Sequence, residues 1–134
     1  MRRDIRPHKC DEARPAQATF AEVATAISQF EPVTVCASSA TWLAARALLP
    51  PQVRVLEISQ NDSWFRDTAP LFVRDSTTGA VRGVDFEFNA WGGLEGGCYS
   101  DWAQDNLVAR KILEIAGVQR EVGGMVLEGG SVDC

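Results

Sequence analysis

"NDSWFRDTAPLFVRDSTTGAVRGVDFEF", Asn61–Phe88, is the stretch on which the fold turns. Two β-rich runs in it, "PLFVRD" and "VRGVDFEF", flank "STTG", a polar turn with Gly79. So short a connection joins strands antiparallel, because parallel neighbours need a crossover of a dozen residues or more. The opening of the stretch is less ordinary. Asp62, Trp64, Arg66 and Asp67 fall within seven residues and run straight into an apolar strand. A solvated loop has no need of a tryptophan, and a core strand has none of an aspartate. The mixture marks a pocket rim, with carboxylates standing on a rigid element beside an aromatic wall.

Towards the N-terminus the pattern is helical and β in alternation. Phe20, Val23, Ala24, Ile27 and Phe30 fall at the i, i+3, i+4, i+7 spacing of a helix stripe. Either Thr19 with Glu22 forms a capping box, or Pro15 opens the helix a turn earlier. Pro32 ends it. "VTVCAS" reads as a strand, Ser38 or Ser39 as the cap of a second helix through "TWLAARALL", and "VRVLEI" as the next strand. Residues 1–14 are polar, with no clear period, and read as an irregular lead-in.

Towards the C-terminus comes a glycine-rich loop, "NAWGGLEGGCYS". Asp101 with Gln104 is expected to cap a third helix, with Val108, Ile112, Ile115 and Ala116 on its buried face and Gly117 as its stop. "MVLEGGS" begins as a strand and breaks at its glycines. The order αβαβ, ββ, αβ is that of an α/β chain with mixed strands. A faint internal echo links "WFRDTAP" to "VLEGGS": each sets a carboxylate beside small residues where strand meets loop, as in units that present acids around a centre.

Composition excludes several function classes. The chain has 134 residues, 46% hydrophobic and 23% charged, with 13 basic and 18 acidic side chains for a net charge of −5. That is at most one ordinary domain, without the basic stripe of a nucleic-acid binder. No window approaches the roughly 20 apolar residues of a membrane span. "MRRDIRPHKCDEARP" lacks the apolar segment of a secretory signal, so Asn61-Asp62-Ser63 reads as a chance sequon. Cysteines at 10, 36, 98 and 134 with a single histidine, His8, make a zinc site improbable and favour reduced thiols in an intracellular, cytoplasmic protein. Cys36, inside a strand, reads as a small buried hydrophobe, and neither His8 nor Cys10 is expected to be catalytic.

The acids remain to be explained. Two fixed carboxylates, Asp67 and Glu128, can grip a planar guanidinium through paired N–H···O bonds. Trp64 can wall the same pocket. The bland alternatives are a salt bridge from Asp67 to Arg66 or a turn cap, a turn position for Glu128, and core packing for Trp64. A glycosidase acid/base pair would use the same two acids, and spacing does not separate it from a guanidinium clamp. "WGGLEGG" lacks the Lys-Ser/Thr of a phosphate loop and reads as a flexible loop whose glycines admit close backbone approach.

Four motifs in order, "NDSWFRDTAP", "DFEFNAWGG", "CYSDWAQDNLVARKILE" and "MVLEGGSV", resemble the agmatine deiminase (agmatine iminohydrolase) family, and "FEPVTVCAS" and "NDSWFRD" look especially like the plant-type enzymes. The likeness runs from about Pro15 to Val132. It implies a partial pentein fold, about one and a half blades of a five-bladed α/β propeller built on repeated units. Residues 15–134 are then the N-terminal part of an incomplete domain. It also implies hydrolysis of agmatine to N-carbamoylputrescine and ammonia in putrescine synthesis, with no metal or organic cofactor. Trp64 and Asp67 would line the substrate pocket, and Glu128 would bind the guanidinium.

In the family, a nucleophilic cysteine and a catalytic histidine follow "LEGGS", and none of the cysteines here occupies that motif. Ala69 replaces the usual glycine of the "RDTAP" segment. The expectation is therefore a chain inactive alone, with agmatine as small-molecule partner and neither nucleic acid nor membrane. A homo-oligomeric full-length enzyme is compatible with the resemblance. The alternatives are a non-catalytic product binding a guanidinium or amine ligand or a partner chain, and a peptidylarginine deiminase of the same family.

Overall fold

The structure, a computed structural model, describes residues 13–133. Its described residues form two compact units that divide between Ser59 and Gln60.

The first unit holds α1 (Arg14–Ile27), β1 (Thr34–Ala37), α2 (Trp42–Leu48) and β2 (Arg54–Glu57). Pro15 lies in the first turn of α1, where a missing N–H breaks no helical bond. The Thr19 hydroxyl donates to the Pro15 carbonyl, 3.1 Å away, so Thr19 sits inside the helix and the capping box with Glu22 does not form. β1 and β2 pair parallel, Thr34 opposite Arg54 through Ala37 opposite Glu57, and α2 is the crossover that parallel pairing requires. Ala24, Ala37, Leu49, Val53 and Val55 form the core, with Trp42 packed against them.

Neither Ser38 nor Ser39 caps α2 with its side chain, contrary to expectation. The Ser38 Oγ is instead 2.9 Å from Thr41 Oγ1, while the Ser38 carbonyl accepts the Thr41 and Trp42 amides. The far end is secured by Arg46, whose guanidinium donates to the carbonyls of Val53, Leu49 and Pro50 at 2.6, 2.7 and 2.5 Å. A cation there satisfies carbonyls that the helix end leaves without a partner. The α1 stripe exists, but only Ala24 on it is buried: Phe20 is 64% exposed and Phe30 88%.

The second unit holds α3 (Phe65–Thr68), β3 (Leu71–Arg74), β4 (Val81–Glu87), α4 (Gly93–Gly96), α5 (Val108–Ala116) and β5 (Gln119–Val126). Short 3-10 turns cover Asp105–Leu107 and Gly129–Ser131. The sheet order is β3-β4-β5, antiparallel between β3 and β4 and parallel between β4 and β5, so the hairpin and the mixed sheet are both present. Asp75 closes the hairpin by accepting the amides of Thr77 and Thr78 at 2.8 and 2.7 Å.

α5 stops at Gly117, which takes the left-handed φ of 64° that glycine adopts without strain. Its buried side is Val108, Ala109 and Leu113, whereas Ile115, expected inside, is 49% exposed. The expected face is rotated because β4 offers Leu113 a seat at Gly83. A Cβ on Gly83 would lie 2.0 Å from Leu113 Cδ2. The N-cap position of the turn leading into α5 is Gln104, and its side chain makes no capping bond. Asn61 Oδ1 accepts the Gln104 and Asp105 amides instead, at 2.8 and 3.3 Å.

Candidate functional site

The site region is built around a buried carboxylate. Asp105 is 1% exposed. Its Oδ1 accepts the Asn61 and Asp62 amides at 2.6 and 3.1 Å, and its Oδ2 accepts the Tyr99 hydroxyl at 2.8 Å. Together with the reciprocal bonds from Asn61, these clasp the segment entering α3 to the segment entering α5. Several mutual bonds between two segments leave neither free to rotate, so the clasp sets the direction in which Trp64, Arg66 and Asp67 leave it.

Trp64 precedes α3, half-exposed, with its ring edge-on to Trp91 at a centroid distance of 5.5 Å. Trp91 in turn meets Phe88 at 5.2 Å and Tyr99 at 6.2 Å, both edge-on. Trp64 is therefore the open end of an aromatic row whose other end is core. Trp91 is held at φ 60° and its neighbour Ala90 at φ 54°. Such backbone costs a side-chain-bearing residue about 1–3 kcal/mol and persists only where the surroundings impose it. Here the imposing contacts are the Cys98 amide on the Ala90 carbonyl at 2.9 Å and the ring packing. The "WGGLEGG" loop closes tightly on itself, since a Cβ on Gly92 would lie 2.6 Å from the Gly96 carbonyl carbon.

The two acids are brought into one neighbourhood by Gly129. Asp67 Oδ1 accepts the Gly129 amide at 2.9 Å, which ties α3 to the residue that follows Glu128. Arg66 does not pair with Asp67. Its Nε donates to the Gly129 carbonyl at 3.0 Å and its Nη2 to the Val132 carbonyl at 3.2 Å. The approach is close enough that a Cβ on Gly129 would lie 2.0 Å from the Arg66 carbonyl oxygen. Glu128 is exposed, and its carbonyl accepts the Ser131 hydroxyl at 2.6 Å, which holds the turn. Among the described residues no ion pair engages Asp67 or Glu128.

Two acids on neighbouring segments, neither in an ion pair among the described residues, suit a planar cation with several N–H donors. The half-exposed Trp64 adds a face on which a cation or an aliphatic stem can pack.

Neither of the two described cysteines, Cys36 and Cys98, extends the site. Burial pushes the Cys36 thiol up from its ordinary value, which keeps it protonated and weakly nucleophilic at neutral pH. Cys98 packs beside Phe88, Ala90 and Tyr99. His8, Cys10 and Cys134 lie outside the described residues. Among the described residues no group of three or more His, Cys, Asp or Glu side chains could hold a metal ion. Sequence reasoning missed Trp91, Asp105 and the role of Arg66. A tryptophan directly before Gly-Gly was the one signal available for Trp91.

Residues 5–134 match the family described as Porphyromonas-type peptidyl-arginine deiminase, and the chain belongs to that family. Among its relatives is the agmatine deiminase of Stutzerimonas stutzeri, 60% identical over 91% of this chain and 33% of that protein. The agmatine deiminase of Medicago truncatula is 54% identical over 91% of this chain and 34% of its own length. The solved structure of the Enterococcus faecalis agmatine deiminase superposes with a TM-score of 0.86 at 49% identity, covering 90% of this chain and 33% of that one. The chain thus spans about a third of the length of these relatives, and its α/β order is that of part of the pentein fold.

Proposed function

We propose that this chain carries the guanidinium-holding acids of an agmatine deiminase, which converts agmatine and water to N-carbamoylputrescine and ammonia. The observation that carries the reading is the Asp67–Gly129 bond, which sets Asp67 beside the turn bearing Glu128, with neither acid in an ion pair among the described residues. The relatives named agmatine deiminase support the choice of substrate.

Asp67 and Glu128 hold the guanidinium flat and fixed, and Trp64 walls the pocket beside it. A cysteine thiolate supplied by residues outside 1–134 attacks the central carbon, forming a C–S bond. A histidine, also from outside, protonates the departing nitrogen, which leaves as ammonia. Water then adds to the thiouronium carbon, the C–S bond breaks, and the ureido product departs. Immobilising the reactant contributes through orientation, and the acids keep the carbon electrophilic by favouring the protonated guanidinium. No metal or organic cofactor enters this chemistry. The expected compartment is the cytoplasm, where the thiol stays reduced.

The test joins this chain to the remainder of the Stutzerimonas enzyme and assays ureido product. The fusion should turn over agmatine, and the 134-residue chain alone should give nothing above buffer. Turnover by the isolated chain would contradict the assignment of the nucleophile to other residues. The family's description keeps peptidyl-arginine as a second substrate reading. Preference of the fusion for an arginyl peptide over agmatine would favour it.

A further inference from the structure

Arg66 is placed unlike an ordinary surface arginine. It lies beside a carboxylate, Asp67, yet its guanidinium is spent on two main-chain carbonyls of another segment. Those carbonyls, of Gly129 and Val132, bracket the 3-10 turn that begins directly after Glu128. Asp67 takes the Gly129 amide from the same side. The two main-chain polar groups of Gly129 are thus held by adjacent residues of α3, one by an anion and one by a cation. The absent side chain of Gly129 lets the turn lie directly on α3.

We infer that Arg66 is a positioning residue for Glu128: by bridging the Gly129 and Val132 carbonyls it fixes the turn that presents the Glu128 carboxylate to a bound guanidinium. The inference rests on the reading of Glu128 as a guanidinium ligand. The geometry explains why an arginine serves here. Its planar fork directs two donors at fixed divergence, whereas a lysine ammonium at the same place is a single flexible point. Asp67 alone would leave the turn hinged about one bond.

The experiment is a double-substitution cycle on agmatine affinity, using the fusion described above with its downstream cysteine replaced by alanine so that agmatine is bound and not consumed. Arg66→Ala and Glu128→Gln should each weaken agmatine roughly tenfold or more, since each removes or misplaces a charged hydrogen-bond partner. The double variant should be little worse than either single one, because misplacing Glu128 and neutralising it remove the same contact. Arg66→Lys should recover less than half of the lost affinity on a logarithmic scale, and circular dichroism should show all variants folded.

Multiplicative losses in the double variant would overturn the positioning role while leaving Glu128 a ligand. Full recovery with lysine would also overturn it, by showing that charge suffices without the fork. Agmatine bound equally well by Glu128→Gln and the parent would overturn the ligand reading itself. Should Arg66→Ala not fold, Arg66→Lys with Glu128→Gln completes the same cycle.

Discussion

At the scale of single residues the site depends on two positions that carry no site chemistry. Gly129 is one. A methyl group there meets the Arg66 carbonyl at 2.0 Å, so Gly129→Ala must push the turn off α3. We expect a loss of about 1–3 kcal/mol of stability, typical of overpacking, in urea denaturation, together with weakened agmatine binding. Asp105 is the other. Removing it takes the acceptor from the Asn61 and Asp62 amides and breaks the bond to the Tyr99 hydroxyl. Asp105→Ala should therefore cost about 3 kcal/mol or more, and Tyr99→Phe only about 1 kcal/mol, since phenylalanine leaves the acid its two amide donors. Equal costs for the two variants would show that the Tyr99 hydroxyl, not the amide clasp, matters most. Asp105 was illegible in the sequence for a physical reason. An aspartate in the first turn of an expected helix is an ordinary residue there, and its role arises from Asn61 and Tyr99, whose approach no local pattern encodes.

At the scale of elements, local chemistry was a good guide wherever one turn or breaker decided the outcome. "STTG" with its preceding Asp75 marked the hairpin, Pro15 the start of α1 and Gly117 the stop of α5. It failed where a partner element decides. The rotated face of α5 is set by Gly83 on β4, so Gly83→Val should destabilise by about 1–3 kcal/mol, and adding Leu113→Ala should return part of that loss. Independent, additive costs would argue that Leu113 does not seat at Gly83. The hairpin turn carries a pH signature. The Thr78 and Thr77 hydrogen bonds pull the Asp75 carboxyl below its ordinary 3.8, so its contribution is complete above that value and is lost as pH falls through the lowered one. Amide chemical shifts of Thr77 and Thr78 should move together below about pH 4, and Asp75→Asn should abolish that step. Shifts that titrate unchanged in Asp75→Asn would refute it.

At the scale of the whole molecule, the order of elements and the family were legible because four motifs recur in sequence along the chain. The pairing of Asp67 with the turn after Glu128 was anticipated only as convergence of two acids. That Gly129 and Arg66 mediate it was not, because a main-chain clamp leaves no side-chain signature. The exposed apolar side chains of Phe20 on α1 and Phe30 just after it predict that the 134-residue chain self-associates in sedimentation velocity, and that Phe20→Ser with Phe30→Ser reduces this. A sharp, reversible melt of a monomer would contradict that expectation. The chemistry is tested most directly by a crystal structure of the fusion, its downstream cysteine replaced by alanine, with agmatine bound. Carboxylate oxygens of both Asp67 and Glu128 should lie about 2.7–2.9 Å from guanidinium nitrogens, with Trp64 beside the ligand. A guanidinium bound elsewhere, or held by other groups while either acid stands clear of it, would contradict the account.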